Sequence, residues 1–316
     1  MLWFILVLIL AIPVYGQQTV QISPGDDLQA ALNAAGAGGT VIFAPGRYDV
    51  VPSNPYQHEA IRITQDLAGI TLRGAGCGTD PNTATILDGE AGFLETGVLI
   101  EASNVTVEGF TLTQFWIQGF LLGDRIQNVE CRNCWALACD SGMNTAGTAG
   151  LWSESNPDRF DNMVRFCNCV FARGGDDAAD IENGSTVVFI QCDFYDFDND
   201  MLAPEDTSVI LLRNCILHAG LHSDNIQADG ASLIEARNCV FYDPTTDDHD
   251  GLGGMDFRGF TYTRDCIGQD SLYVRVGPDV PVWNLDFRLR ADSPALTAGK
   301  DENGNPTFAG SMGGGQ

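Results

Sequence analysis

The chain has 316 residues, 44% of them apolar, with 36 Gly and 13 Pro; that is enough for one large folded domain and excludes disorder throughout. Sixteen Lys and Arg stand against 42 Asp and Glu, a net charge of −26, so phosphate backbones and anionic lipid repel it, which speaks against nucleic-acid partners. The acid is biased towards Asp, 31 against 11 Glu, and the only lysine is Lys300; Asp is the carboxylate of turns and cation sites.

Residues 2–14 form an apolar run too short to span a bilayer, and Gly16, with Val14 two residues before it, resembles a signal-peptidase site. Residues 1–16 read as a signal peptide and 17–316 as one exported domain, extracellular or periplasmic. No later segment is apolar enough to span, and a monomer is expected. In SPGDDLQAALNAAGAGG (23–39), Leu28, Ala31 and Leu32 fall at helical spacing behind Ser, Pro and Asp. That pattern predicts a short amphipathic helix capping the open edge of the first coil.

The remainder is organised by a repeat. NVECRNCWA (128–136), MVRFCNCVF (163–171), VVFIQCDF (187–194), VILLRNCIL (209–217) and LIEARNCVF (233–241) align around Cys134, Cys169, Cys192, Cys215 and Cys239, and Cys266 fits one coil later. The steps are 35, 23, 23, 24 and 27 residues, which makes one coil about 23–24 residues and puts an insertion, read as residues 140–160, into the first step. NVTVEGFTL (104–112) places Phe110 in the cysteine position, and AGITLRGAG (68–76) reads as an earlier coil. Short aliphatic stretches broken by Gly, Asn and Asp predict strands joined by turns, and a period of this length predicts a parallel solenoid.

With TVIFAPGRYDV (40–50), ITLRGAGCG (70–78), the coils and the closing DFRLRADSPALTAG (286–299), the chain resembles the pectate-lyase-like superfamily over nearly its whole length. The resemblance implies an all-β fold, a single-stranded right-handed parallel β-helix. That fold carries lyases, hydrolases and non-catalytic members alike.

Ten cysteines in an exported protein ordinarily signal disulfides. Six of these recur at one point of successive coils, where stacked side chains stand somewhat beyond disulfide distance. They read as a reduced core ladder; Cys77, Cys131, Cys139 and Cys167 fall outside it, which leaves one disulfide among those four open.

Six to eleven residues after the ladder cysteines the chain turns acidic: Asp176 and Asp177, Asp198 and Asp200, Asp224, then Asp247, Asp248 and Asp250. Asp176, Asp200, Asp224 and Asp248 are 24 apart, which predicts a column of carboxylates on one side of the solenoid. Such a column is either a turn that favours Asp or a group that raises its own pKa values and recruits a cation.

GGDDAADIENGSTVVFIQCDF (174–194) resembles the calcium-binding coil of pectate lyases. The resemblance implies Asp176, Asp177 and Asp180 as Ca²⁺ ligands, with Asp140 of the preceding coil as a fourth, and β-elimination on a uronate polysaccharide by an Arg or Lys base. The lysine of lysine-based members would fall one coil beyond Asp180, where this chain has Ala203 or Pro204. Arg258, in GGMDFRGFT, is the candidate base, with Arg173 second.

Polygalacturonases of this fold use Asp residues of neighbouring coils, a His one coil on and a downstream Arg-x-Lys. Asp177, Asp198 with Asp200, His222 and Arg258 follow that order, although the Gly-His-Gly is missing and Phe260 stands for the Lys. HSDNIQADG (222–230), with His222 and Asp224, also resembles the His-x-Asp-Gly-Ile-Gln stretch of β-helix proteins. The expectation is a secreted, Ca²⁺-binding protein acting on an acidic polysaccharide, foremost a lyase. An inverting glycoside hydrolase and a non-catalytic carbohydrate-binding solenoid are the alternatives.

Overall fold

The computed structural model describes residues 18–51, 57–90, 93–145, 163–219, 226–227, 232–242, 255–256, 260–277 and 279–311. The residues read as a signal peptide, and His222, Asp224, Asp247, Asp248, Asp250 and Arg258, lie outside them.

Each coil between Thr40 and Pro204 contributes one strand to each of three sheets of ten, nine and six strands, every pairing within these sheets is parallel, and the next two coils pair their third strands, Ile226–Gln227 and Met255–Asp256, in a separate parallel sheet. A representative coil runs Val129–Arg132 in the ten-stranded sheet, Trp135–Leu137 in the nine-stranded sheet and Ser141–Thr145 in the six-stranded sheet. The chain thus has the right-handed parallel β-helix fold. A helix forms over Leu28–Ala35, with Asp27 accepting from the Ala30 amide at its N-cap. Its Leu28, Ala31, Leu32 and Ala35 are buried in the main core.

The turn from the ten- to the nine-stranded sheet explains the cysteine repeat. One residue in the left-handed region precedes each cysteine: Asn133, Asn168, Gln191, Asn214, Asn238 and Asp265, with φ of 52–56°. Asn tolerates that conformation because its short side chain hydrogen-bonds locally, and Asn168 Nδ2 donates to Asn133 Oδ1 at 2.6 Å. The backbone then turns the next side chain inward. Trp135 pairs with Thr111 and Val170, so Phe110, Cys134 and Cys169 stack, and the same register carries the ladder through Cys192, Cys215 and Cys239 to Cys266. All ten cysteines are unbridged. Burial pushes the Cys134, Cys192 and Cys239 thiols well above their ordinary value, which keeps them as inert apolar groups.

Alongside the thiols runs a phenylalanine stack. Phe166 lies on Phe189 with centroids 5.5 Å apart, and Phe171 on Phe194 at 5.2 Å. On the outer face of the ten-stranded sheet, Arg73, Glu108, Arg132, Glu130 and Arg165 form a chain of ion pairs across successive coils, so much of the scarce positive charge is spent on that face.

Residues 270–311 lie over the nine-stranded sheet, where Tyr273, Leu285, Phe287 and Leu289 cover Trp135, Leu137, Val170, Tyr195 and Ile216. Asp193, buried in that sheet, accepts from Tyr273 Oη at 2.6 Å and from the Ser311 amide at 2.7 Å. Asn214 clasps Lys300 through both its main-chain groups.

One boundary differs from the sequence reading. Residues 141–145, assigned there to the insertion, form a strand between Gln118–Leu122 and Ala179–Ile181, with Met143 opposite Ala179. The insertion therefore begins after residue 145.

Candidate functional site

The acidic residues gather where the nine-stranded sheet turns into the six-stranded sheet. Three rows run there along the solenoid axis. On the outer face of the six-stranded sheet the register aligns Arg62, Leu99, Leu121, Asn144, Asp180 and Ala203. Beside it is a buried polar row. Thr96, Gln118 and Ser141 are in register, and the same coil steps bring Asp177 and Asp200 next; all five are buried. Gln118 Nε2 donates to Thr96 Oγ1 at 2.7 Å, and the Asp200 amide to Asp177 Oδ1 at 2.9 Å.

The third row follows the exposed corner. The Trp116 amide donates to Leu94 O, the Asp140 amide to Phe115 O and the Asp176 amide to Asp140 O. Trp116, Asp140 and Asp176 thus stand at the same corner on three successive coils, and all three are exposed. Gly174 and Gly175 make the close approach of the last two coils possible. A Cβ at Gly174 would collide with the carbonyl oxygens of Cys139 and Asp140, and one at Gly175 would stand 2.5 Å from Asp140 Oδ1.

The four residues expected to bind Ca²⁺ are thus neighbours. Asp140 and Asp176 stand on the corner, Asp177 is buried behind it and Asp180 lies on the adjoining sheet face. The Ser141 hydroxyl reaches Asp176 Oδ2 at 3.4 Å, Asn144 Nδ2 donates to Asp180 Oδ2 at 3.0 Å, and Asn199 Nδ2 to Asp177 Oδ1 at 2.9 Å. Burial pushes Asp177 up to about 6, with Asp176 adding to it, and burial together with Glu182 and Asp177 pushes Asp180 up to about 7. Burial, then Asp176 and Asp198, raises Asp140. Carboxylate oxygens are the donor type that a hard cation takes, and only in donor chemistry do these residues suit calcium. Their side chains do not yet close on one point: among the described residues no group of three or more His, Cys, Asp or Glu is arranged to hold a metal ion.

Two expectations change in detail. Asp180 pairs with Ala203, a step of 23, so Asp200 stands opposite Asp177, and the 24-residue column through Asp176 and Asp200 is out by one. Asp200 is 4% exposed, so its carboxylate faces the interior and not the corner where Asp176 and Asp198 lie. The register also puts Ala203 opposite Asp180, the place where lysine-based lyases carry their base.

Arg173 points away from that task. Its guanidinium donates to the carbonyls of Gly277 and Val280 and pairs with Asp196 at 3.3 Å, which ties the corner to the C-terminal segment. A cleft of about 500 Å³ opens between Trp116, Asp140, Arg173 and Gly175, with Phe115 and Cys139 in its wall.

The sequence reading missed two features. One is the buried polar row. The other is Trp116, for which a signal existed: it follows Phe110 by six residues, just as Asp140 follows Cys134.

The fold alone defines a class, the right-handed parallel β-helices with the pectate-lyase-like fold. Among solved structures, the chain is similar to pectate lyase Pel9A, at 13% identity and a TM-score of 0.56 over 94% of this chain and 96% of that one. It is also similar to pectate lyase Bsp165PelA from Bacillus sp. N165 in complex with trigalacturonate, at 11% identity and a TM-score of 0.52 over 84% and 88%. At such identities the likeness is one of fold. No family model and no curated protein matches the chain. No helix among the described residues is long and apolar enough to cross a membrane.

Proposed function

We propose that the protein is an exported polysaccharide-active β-helix that binds Ca²⁺ through Asp140, Asp176, Asp177 and Asp180 and acts on a uronate polymer, with β-elimination as its chemistry. The observation that supports this reading is the gathering of those four Asp residues, from two adjacent coils, at and directly beside one corner next to an open cleft. One of the two pectate lyases of like fold is in complex with trigalacturonate, a ligand of the class proposed. Residues 1–16 would be removed on export.

Bound calcium would bridge the substrate carboxylate to a protein of like charge and acidify the proton next to it. The chain's own part is to hold the polymer against the outer face of the six-stranded sheet. Asn144 orients Asp180 there, and Asn199 and the Asp200 amide orient Asp177. The base is assigned to Arg258, since Arg173 is committed to the C-terminal segment.

Ala203 opposite Asp180 favours a second reading, polysaccharide binding without turnover. A panel of polyuronates separates the two. Elimination gives an unsaturated product absorbing in the ultraviolet, dependent on Ca²⁺ and lost in Asp176→Ala and Arg258→Ala. Retention of polymer with no product supports binding alone. New reducing ends without ultraviolet gain, insensitive to chelator, would instead mean hydrolysis.

A further inference from the structure

The exposed corner changes character along the axis. Towards the C-terminus it is acidic, with Asp140, Asp176 and Asp198 exposed on three successive coils. Towards the N-terminus it is aromatic. Trp116 is 68% exposed and Phe93, on the coil before, 77%. They are the two most exposed aromatic side chains among the described residues, in a protein that places eleven phenylalanines in its fully buried core. Ile117, 39% exposed, continues the patch. Water-facing indole and phenyl rings on neighbouring coils are costly unless something covers them, and contiguous patches of this kind mark binding sites.

What covers them follows from their position. Trp116 stands on the same corner as Asp140 of the next coil and Asp176 of the one after, and coils repeat at about 4.8 Å, a distance similar to the length of one sugar ring. It also forms one wall of the cleft that Asp140 and Arg173 share. The patch thus adjoins the carboxylate cluster along the corner. A β-strand or helix of a protein partner would have no reason to combine a flat aromatic ring with a cluster of anions at this spacing. A uronate polymer has both matching parts: carboxylates that a cation can bridge to the acidic cluster, and the apolar C–H face of each pyranose ring to lie on an indole.

We infer that Trp116, with Phe93 beside it, is a sugar-stacking platform that extends the candidate site towards the N-terminus and aligns an acidic polysaccharide with the solenoid axis, one sugar to each coil. This rests on the polysaccharide reading above but not on elimination. It assigns the uncharged face of the substrate to Trp116 and the charged edge to Asp140 and Asp176.

Binding of polygalacturonate and of alginate, each in the presence of Ca²⁺, is measured by isothermal titration for the full chain and for Trp116→Ala, Trp116→Phe and Val274→Ala. Val274 is exposed as well but lies on the C-terminal segment and serves as the control. Loss of the indole is expected to weaken binding at least about fivefold, as for a buried aromatic anchor. Phenylalanine should recover most of the loss, and Val274→Ala should bind as the native chain does. Bound polymer should also protect tryptophan fluorescence from acrylamide in the native chain and not in Trp116→Ala. Equal affinity of Trp116→Ala and native chain overturns the inference, as does a native chain that binds neither polymer. Weakened binding in Trp116→Ala, with no elimination product from any chain, leaves the platform standing and removes the lyase chemistry.

Discussion

The backbone amide of Asp200 donates to Oδ1 of Asp177 across neighbouring coils, at 2.9 Å. The same oxygen accepts from Asn199 Nδ2, so a single carboxylate ties two coils together at the back of the acidic corner. Asp177→Ala leaves the buried Asp200 amide without this acceptor, which costs about 1–3 kcal/mol. Asp177→Asn can keep an oxygen in place and should lose less. Thermal melts of the two variants check the order, and equal midpoints for native and Asp177→Ala would contradict it.

Calcium is expected to raise the melting temperature of the native chain and to bind with an affinity that falls from pH 8 to pH 5. Burial holds Asp177 and Asp180 partly protonated, at about 6 and about 7, and a cation must displace those protons. Asp180→Ala and Asp176→Ala should each weaken calcium binding by at least about tenfold. Calorimetric titration at the two pH values, native against variants, reads this directly.

The buried carboxyl of Asp193 gives a pH dependence of stability that is independent of the site. Burial pushes it up to about 6, against hydrogen bonds from Ser311 and Tyr273 that lower it. In the unfolded chain it titrates near about 3.9, so with rising pH the unfolded chain releases this proton first. The stability it contributes is complete below about pH 4 and lost as pH rises through about 6. Melting temperatures of native chain and Asp193→Asn, compared from pH 4 to pH 8, should therefore differ in slope, with the flatter profile in the variant.

Asn214 has φ 55° and bonds the Lys300 amide at 3.0 Å and its carbonyl at 2.9 Å. Asn214→Ala combines a strained backbone with the loss of both bonds and should cost about 2–3 kcal/mol. Asn214→Gly removes only the bonds. Chemical denaturation of both variants separates the two contributions, and a more stable alanine variant would refute the account.

Alkylation of the folded protein should modify Cys266 first. It is half-buried at the end of the ladder, and the neighbouring Cys239 thiol pulls it down to about 7. Cys77 and Cys167 are also half-buried, but burial pushes both up to about 12, so they should follow slowly. The seven buried thiols should react only on unfolding, giving ten adducts by mass.

Much of the fold was legible because a β-helix writes its register into the sequence: the residue after each left-handed Asn must point inward, and here it is a cysteine. The acidic corner was legible as a cluster but not to the residue. The step between Cys215 and Cys239 is 24, whereas the coils through Asp177 and Asp180 repeat at 23, and that difference moves Asp200 from the exposed row to the buried one. SGMNT (141–145) has little strand propensity and reads as a loop; pairing with strands on both sides imposes the strand conformation. Trp116 passed unnoticed because, in a chain that fills its core with aromatic rings, exposure of one is decided by the corner it stands on and not by its type.

The buried row of Thr96, Gln118, Ser141, Asp177 and Asp200 is graded, neutral in its first three coils and ionisable in its last two. The cysteine ladder, by contrast, is uniform from end to end. The grading gives the cylinder an electrical head and tail, so a charged polymer laid along it would meet a different potential in each of its two orientations. Its two ends cease to be equivalent, and under the proposed function the direction of such a polymer would become a property of the protein.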